Sequence, residues 1–220
     1  MNKSISHVCW DFDGTLYDTY GQIASAMEKA LGQWDLAAPP QEVYGLLKQS
    51  VYHASRVFAQ RFSLPLEGLL DAFQHYHRQA GGFQPYEGAA ACLSLLHQAG
   101  CRHYLYTHRD SAAIRQLEAD GLAPLFADFI TREDGFADKP APDALLALCE
   151  KHGFSPEEAV MVGDRDIDVQ AGLSAGMHAI LFDPDGFYPQ AQATWRVGRL
   201  GDIPPLLLPG ALAPGSPSRP

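Results

Sequence analysis

Basic charge is scarce in this 220-residue chain: 16 Lys and Arg stand against 26 Asp and Glu, a formal net charge of −10. A nucleic-acid binder needs a basic stripe to displace counterions, and an anionic membrane surface attracts the same kind of stripe. Neither partner suits this chain. Cysteine is also scarce. Cys9, Cys92, Cys101 and Cys149 lie far apart with no CxxC pair, which argues against a zinc ribbon and against a disulfide framework. Three of the four sit in apolar segments, where a small buried thiol is the ordinary reading. Long apolar runs are missing as well. Nothing approaches the ~20 residues of a membrane span, and the apolar patch in residues 1–10 covers three positions at most, too few for a signal-peptide core. The expectation is a soluble, cytoplasmic protein. Its 46% apolar and 19% charged residues suffice for folding around a core.

The chain opens on a short β-like run, His7-Val8-Cys9-Trp10. From Tyr17 to about Phe83, apolar residues recur at helical spacing: Ile23, Met27, Ala30 and Leu31, then Val43, Leu46 and Leu47, then Leu66, Leu69, Leu70 and Phe73. With no strand pattern in between, this stretch reads as about four helices. Beyond Pro85 the pattern alternates. Strands are expected at residues 101–106, 129–130, 159–162 and 178–182. Helices are expected at 88–99, 110–119, 142–151 and 169–174, with Gly100, Gly121, Gly153 and Gly176 closing them. Such alternation implies a parallel sheet with right-handed crossovers. The expected organisation is an α/β core from residues 1–16 and 85–208, a helical insertion over 17–84, and a Pro/Gly-rich tail over 209–220.

Chemistry in open α/β sheets sits beyond the carboxyl ends of the strands. After the first strand come Asp11 and Asp13, which project to one side while Phe12 points away. Gly14 then permits a sharp turn that lets backbone N–H groups face a ligand. After the second comes Thr107-His108-Arg109. After the third comes Asp138-Lys139-Pro140, where the proline keeps Lys139 out of the next helix. After the fourth comes Gly163-Asp164-Arg165-Asp166-Ile167-Asp168. Four successive strand ends thus send carboxylates, a hydroxyl and a lysine to one edge.

In these residues the chain resembles the haloacid dehalogenase-like (HAD) superfamily. Asp11-Phe12-Asp13-Gly14-Thr15 matches the DxDGT motif, Thr107 the second motif, Lys139 the third, and Gly163-Asp164 with Asp168 the GDxxxD fourth. The insertion looks like a C1-type helical cap, as in subfamily IA, and the motifs are most similar to the phosphoglycolate-phosphatase-like members. The resemblance implies a Rossmann-like core and a Mg²⁺-dependent phosphatase acting on a small phosphorylated metabolite, phosphoglycolate-like or a sugar phosphate, through an aspartyl-phosphate intermediate. Asp11 is then the nucleophile and Asp13 the acid and base. Mg²⁺ falls to the Asp11 side chain, the Asp13 backbone carbonyl and Asp164, with Asp168 acting through water or through its neighbours. The phosphoryl oxygens fall to Thr107, His108, Lys139 and the Gly14 turn.

His108-Arg109 departs from the Asn-Lys that relatives often carry after the second-motif Thr. His108 beside a phosphate can titrate near neutrality or serve as a plain hydrogen-bonding group, the better reading. Asp166 is expected to be solvated or to cap a helix rather than bind metal. Arg165 is expected in a structural ion pair. His75 and His77, two apart on a helix, do not share a face as a metal pair would. Substrate choice is assigned to the insertion, where Lys48, Ser50 and His53 fall in a polar run read as a loop over the site. A phosphomutase of the β-phosphoglucomutase type is the alternative enzyme, and a non-catalytic binding module on the same fold the alternative class. Either a monomer or a homodimer fits the sequence.

Overall fold

The computed structural model describes residues 4–208; the tail expected at 209–220 lies outside the described residues. The apolar run His7–Trp10 forms β1. The chain then passes through a two-residue strand, β2 (Tyr17–Asp18), into helices α1 (Tyr20–Gly32), α2 (Pro40–Gln49), α3 (Val51–Phe62) and α4 (Leu66–Arg78). A second two-residue strand, β3 (Gln84–Pro85), pairs with β2. Alternation follows: α5 (Ala89–Gln98), β4 (Arg102–Tyr106), α6 (Ala112–Ala119), β5 (Phe126–Ile130), α7 (Asp143–His152), β6 (Ala159–Gly163), α8 (Asp166–Ser174), β7 (His178–Phe182), β8 (Trp195–Val197) and α9 (Ile203–Leu207). By chain contacts, Asp18–Gln84 form one compact unit, and the described residues up to Tyr17 and from Pro85 onward form the other.

In the second of these units, six strands pair in the order β5-β4-β1-β6-β7-β8, every pair parallel. β1 is central, and its register sets Trp10 beside both Leu105 and Val162. The segments following β1, β4 and β6 therefore leave the sheet side by side. Both faces of the sheet are covered by helices, so its strands read as near-continuous apolar runs; Val8, Cys9 and Trp10 are fully buried. One core cluster joins Cys9, Tyr104 and Met161 of the sheet to Leu145 and Leu148 of α7. All four cysteines are buried and unbridged. No helix among the described residues is long and apolar enough to cross a membrane.

The helical unit packs its own core from Met27, Leu31, Val43, Leu69 and Phe73, positions at the expected helical spacing, together with Phe58 of α3. The polar run from Lys48 to His53 is not a loop. Lys48 and Gln49 end α2, and Ser50 alone is extended, with φ −173° and ψ 156°. Its Oγ accepts the His53 N–H at 2.9 Å, so it caps α3 and lets one helix follow another with a single-residue break. Among the further differences from the sequence expectation are two boundaries and one strand. β5 begins three residues earlier. α8 begins at Asp166, because the Asp168 carboxylate accepts the Arg165 N–H at 3.0 Å and starts the helix there. β8 carries a charged residue between two apolar ones on a sheet edge, too short to show a pattern.

Candidate active site

At the carboxyl edge of the central strands, the Asp11 N–H continues the ladder to the Val162 carbonyl at 2.9 Å. The chain then folds into a tight turn. The Phe12 carbonyl accepts the N–H groups of Leu16 and Tyr17 at 3.1 and 3.0 Å, and Gly14 sits at φ +77°, a backbone region that glycine enters without penalty. Gly14 N–H donates to the Tyr17 carbonyl at 2.8 Å. Gly14's own N–H is thus engaged in closing the turn. Phe12 points away, buried and stacked on Tyr17 with centroids 4.3 Å apart.

Lys139 is the hub of the site. It is buried, and its Nζ donates to Asp11 Oδ1 and to Asp168 Oδ1, each at 2.7 Å. Nζ also lies 4.6 Å from the centroid of the Tyr106 ring. A lysine is rarely buried unless paired, and this one has two carboxylates. Burial alone lowers the Lys139 ammonium's pKa, but Asp11 and Asp168 outweigh it and hold the group above its ordinary value. For Asp168, burial acts to raise the carboxyl; Lys139 and Arg165 prevail, and it stays below the usual carboxylate range. Asp11 goes the other way. Burial, together with the Asp168 and Asp164 charges, pushes it up to about 7 against the pull of Lys139.

Asp11, Asp164 and Asp168 offer oxygens that all lie within 4.8 Å of one another. Asp11 Oδ2 is buried with no hydrogen-bond partner, an orphan acceptor that a hard cation satisfies. Both Asp168 oxygens are engaged, one by Lys139 and one by the Arg165 N–H. Asp168 therefore orients Lys139 and the start of α8. The donor set fits a divalent cation on Asp11 and Asp164. Asp166, at the first turn of α8, lies outside this cluster and accepts a hydrogen bond from Gln170. Arg165 Nε stands 4.0 Å from Asp168 Oδ2.

Thr107 is buried, and its Oγ1 accepts the Arg109 N–H at 3.1 Å. His108 has a partner other than the expected phosphate: its Nε2 accepts the Lys139 backbone N–H at 3.0 Å. Burial, with Lys139 and Arg165 nearby, pushes its pKa down to about 4, so the ring is a neutral acceptor that pins the Lys139 segment. In the helical unit, Lys48 is buried, its Nζ 4.2 Å from the centroid of the Tyr20 ring and 5.9 Å from that of Tyr44. Ser50 and His53 share the cap of α3 described above.

Two residues were given no site role by the sequence reading. Arg109 reaches Asp13, with Nε 3.2 and 3.0 Å from its two oxygens. An arginine replacing the usual lysine beside the second-motif Thr was the available signal, but nothing in the sequence named its partner. Tyr188 is the other. Burial first, then Asp164, raise its hydroxyl pKa, which marks the segment after β7 as a neighbour of the acidic cluster. No local motif announces it.

Residues 5–176 match the haloacid dehalogenase-like hydrolase family. A phosphoglycolate phosphatase of Aliivibrio fischeri is 31% identical over 195 residues, 81% of this chain and 84% of that protein. Hexitol phosphatase A of Escherichia coli is 29% identical over 176 residues, 78% of this chain and 80% of that protein. The crystal structure of a hydrolase from Streptococcus pneumoniae is similar at a TM-score of 0.63 and 31% identity, covering 81% of this chain and 93% of that one. With the four motifs gathered at one sheet edge, the chain belongs to the haloacid dehalogenase-like hydrolases and is a phosphatase of that family.

Proposed function

We propose that the protein is a Mg²⁺-dependent phosphatase that hydrolyses a small phosphorylated metabolite, a phosphoglycolate-like or sugar phosphate monoester, through an aspartyl-phosphate on Asp11. The observation that carries this reading is the Lys139 bridge. Lys139 holds Asp11 and Asp168 at 2.7 Å each while the other Asp11 oxygen is left without a partner. One carboxylate oxygen is thereby fixed and the other left for a ligand. Asp11 attacks phosphorus, the bond from phosphorus to the ester oxygen breaks, and Asp13 gives its proton to the departing alcohol. Water then attacks the phosphorus of the acyl phosphate. Asp13 takes the water's proton, the bond from phosphorus to Asp11 breaks, and inorganic phosphate leaves.

Asp11, Asp164 and the Asp13 backbone carbonyl would hold Mg²⁺, which would offset the charge of the carboxylates and of the phosphoryl oxygens. Lys139 adds a fixed positive charge beside the nucleophile, and the Thr107 hydroxyl is a donor for a phosphoryl oxygen. The helical unit is assigned the choice of leaving group, with Lys48 as its principal candidate. Two of the curated relatives are named a phosphoglycolate phosphatase and a hexitol phosphatase, which supports that substrate class.

The test is p-nitrophenyl phosphate hydrolysis with and without Mg²⁺, for the wild type and Asp11→Asn. Hydrolysis is expected to require Mg²⁺ and to vanish in the variant. Equal activity of the two proteins refutes the covalent route. A screen containing phosphoglycolate, nucleoside monophosphates, hexitol phosphates and hexose phosphates then names the substrate. Lys48→Ala is expected to raise KM for it several-fold.

A further inference from the structure

Asp13 is not part of the carboxylate cluster that Lys139 organises, nor does its side chain belong to the group suited to a cation. Its partner is Arg109. Nε lies 3.2 Å from Oδ1 and 3.0 Å from Oδ2, and Nη2 makes a third, short contact to Oδ1. A planar guanidinium engaging both oxygens fixes the distance of a carboxylate and also its plane. Exposed ion pairs contribute little because both side chains wander. This pair is different: Arg109 and Asp13 side chains are 11% and 24% exposed.

The arginine itself is anchored on three sides. Its N–H donates to Thr107 Oγ1 at 3.1 Å, and its carbonyl accepts the Arg132 N–H at 3.0 Å. Its guanidinium carbon lies 5.7 Å from the centroid of the buried Phe12 ring, within cation–π range. Phe12 is in turn clamped against Tyr17. The turn after β1 and the segment after β4 are thus tied together by one side chain, which ends on the carboxylate between the nucleophile and Gly14.

We propose that Arg109 is a positioning residue for Asp13: its guanidinium sets the rotamer and plane of the carboxylate that serves the leaving oxygen. The inference rests on the acid and base role given to Asp13 above. Proton transfer by a placed side chain contributes about 10²- to 10⁴-fold, and a misplacement of about 1 Å can forfeit about 10²-fold. The loss should fall on leaving groups that need the proton. Phenyl phosphate and p-nitrophenyl phosphate have nearly the same shape, but the first releases a far more basic phenolate.

The experiment measures kcat and KM for both esters, with Mg²⁺, in the wild type, Arg109→Gln, Arg109→Lys, Asp13→Asn and the Asp13→Asn/Arg109→Gln double variant. For Arg109→Gln, the expected fall in kcat/KM, which reports the steps up to departure of the alcohol and not the later deprotonation of water by Asp13, is at least about tenfold on phenyl phosphate and under about threefold on p-nitrophenyl phosphate. Competitive inhibition by inorganic phosphate should stay within about threefold of the wild type's, because the phosphoryl contacts lie elsewhere. Lysine keeps the charge and loses the fork, so Arg109→Lys should recover less than half of the logarithmic loss. In the double variant, Arg109→Gln should add less than about a further twofold to Asp13→Asn, since a residue acting through another has nothing left to act on.

The kcat/KM on p-nitrophenyl phosphate doubles as the folding control. Equal losses of kcat/KM on the two esters overturn the inference, as does full rescue by lysine, and so does multiplicative loss in the double variant, the signature of a direct substrate contact. If Asp13→Asn itself fails to discriminate between the esters, the acid and base role of Asp13 falls, and this inference with it. If Asp13→Asn discriminates and Arg109→Gln does not, only the inference on Arg109 falls.

Discussion

Trp10 Nε1–H donates to His103 Nδ1 at 3.0 Å, and His103 Nε2 lies 3.0 Å from the Leu93 carbonyl. Indole nitrogen can only donate and a carbonyl can only accept, so the ring is the neutral tautomer with its proton on Nε2. A second proton on Nδ1 would face the Trp10 N–H. His103 is fully buried, and burial pushes its pKa down to about 4, whereas an unfolded chain holds histidine near 6.5. Between those values the unfolded state binds more protons than the folded one. Stability therefore falls as the pH drops through 6.5 toward 4 and is fully retained above 6.5. From pH 7 to pH 5 this group accounts for about 2 kcal/mol. His103→Gln can still accept from Trp10 and donate to Leu93 without that titration. Urea midpoints at the two pH values should show a smaller drop for the variant than for the wild type. Identical drops would mean that His103 protonates freely in the native state.

At the scale of elements, α8 shows how closely this site depends on one helix. A Cβ built on Gly172 would lie 2.7 Å from Met161 Cβ and 3.3 Å from the His178 carbonyl, so α8 packs at the closest approach a backbone allows. A Cβ on Gly163 would lie 2.2 Å from Asp168 Cβ and 2.4 Å from its Cγ. The two glycines look alike in sequence and predict different failures. Gly172→Ala should cost about 1–3 kcal/mol of stability by overpacking and leave kcat at 25 °C nearly intact. Gly163→Ala must displace Asp168, and with it the Lys139 ammonium, so kcat should fall by about 10²-fold or more. Steady-state kinetics beside a thermal melt separates the two; equal kcat in both variants would contradict the Asp168 relay.

The difference between them also shows where sequence reading reaches. The strands β1, β4, β6 and β7 announce themselves as apolar runs, and Gly153 in a left-handed conformation ends α7 as glycine after a helical pattern should. The gathering of Asp11, Lys139, Asp164 and Asp168 at one sheet edge follows from the strand ends in the sequence. The Arg109 contact does not, because it joins residues 96 apart by a side-chain geometry that no period encodes. Nor does the hydrogen bond from the Gly14 N–H to the Tyr17 carbonyl, since the same turn residues suit several turn geometries. The run from Lys48 to His53 looked like a loop because a one-residue helix break and a loop have the same composition.

For the whole molecule, the net charge of −10 divides unevenly. Residues 18–84 carry five basic and six acidic residues, so −9 belongs to the rest. Part of that excess is concentrated at one edge of the sheet, where Asp11, Asp164 and Asp168 are buried around a single buried lysine. Two opposing terms decide what such a cluster does to stability. Lys139 pairs with two of the carboxylates, but like charges this close still repel, and burial pushes Asp11 up to about 7. A divalent cation relieves that repulsion in the folded state alone, because the unfolded chain scatters these aspartates. Binding should then stabilise the fold by about 2.7 kcal/mol at a hundredfold excess over Kd. For a chain of this size that is a melting shift of about 5–10 °C. Asp164→Asn removes a carboxylate while leaving the Lys139 bridge in place, so its own melting temperature without metal should match or exceed the wild type's, and its shift with Mg²⁺ should largely disappear. Calorimetry at matched ionic strength, with Na⁺ replacing Mg²⁺ as the control, reads both effects. A Mg²⁺ shift that survives in Asp164→Asn would place the cation elsewhere. If neither protein shifts, the carboxylate cluster is a structural lysine cage and the metal requirement proposed for catalysis has no support from the fold.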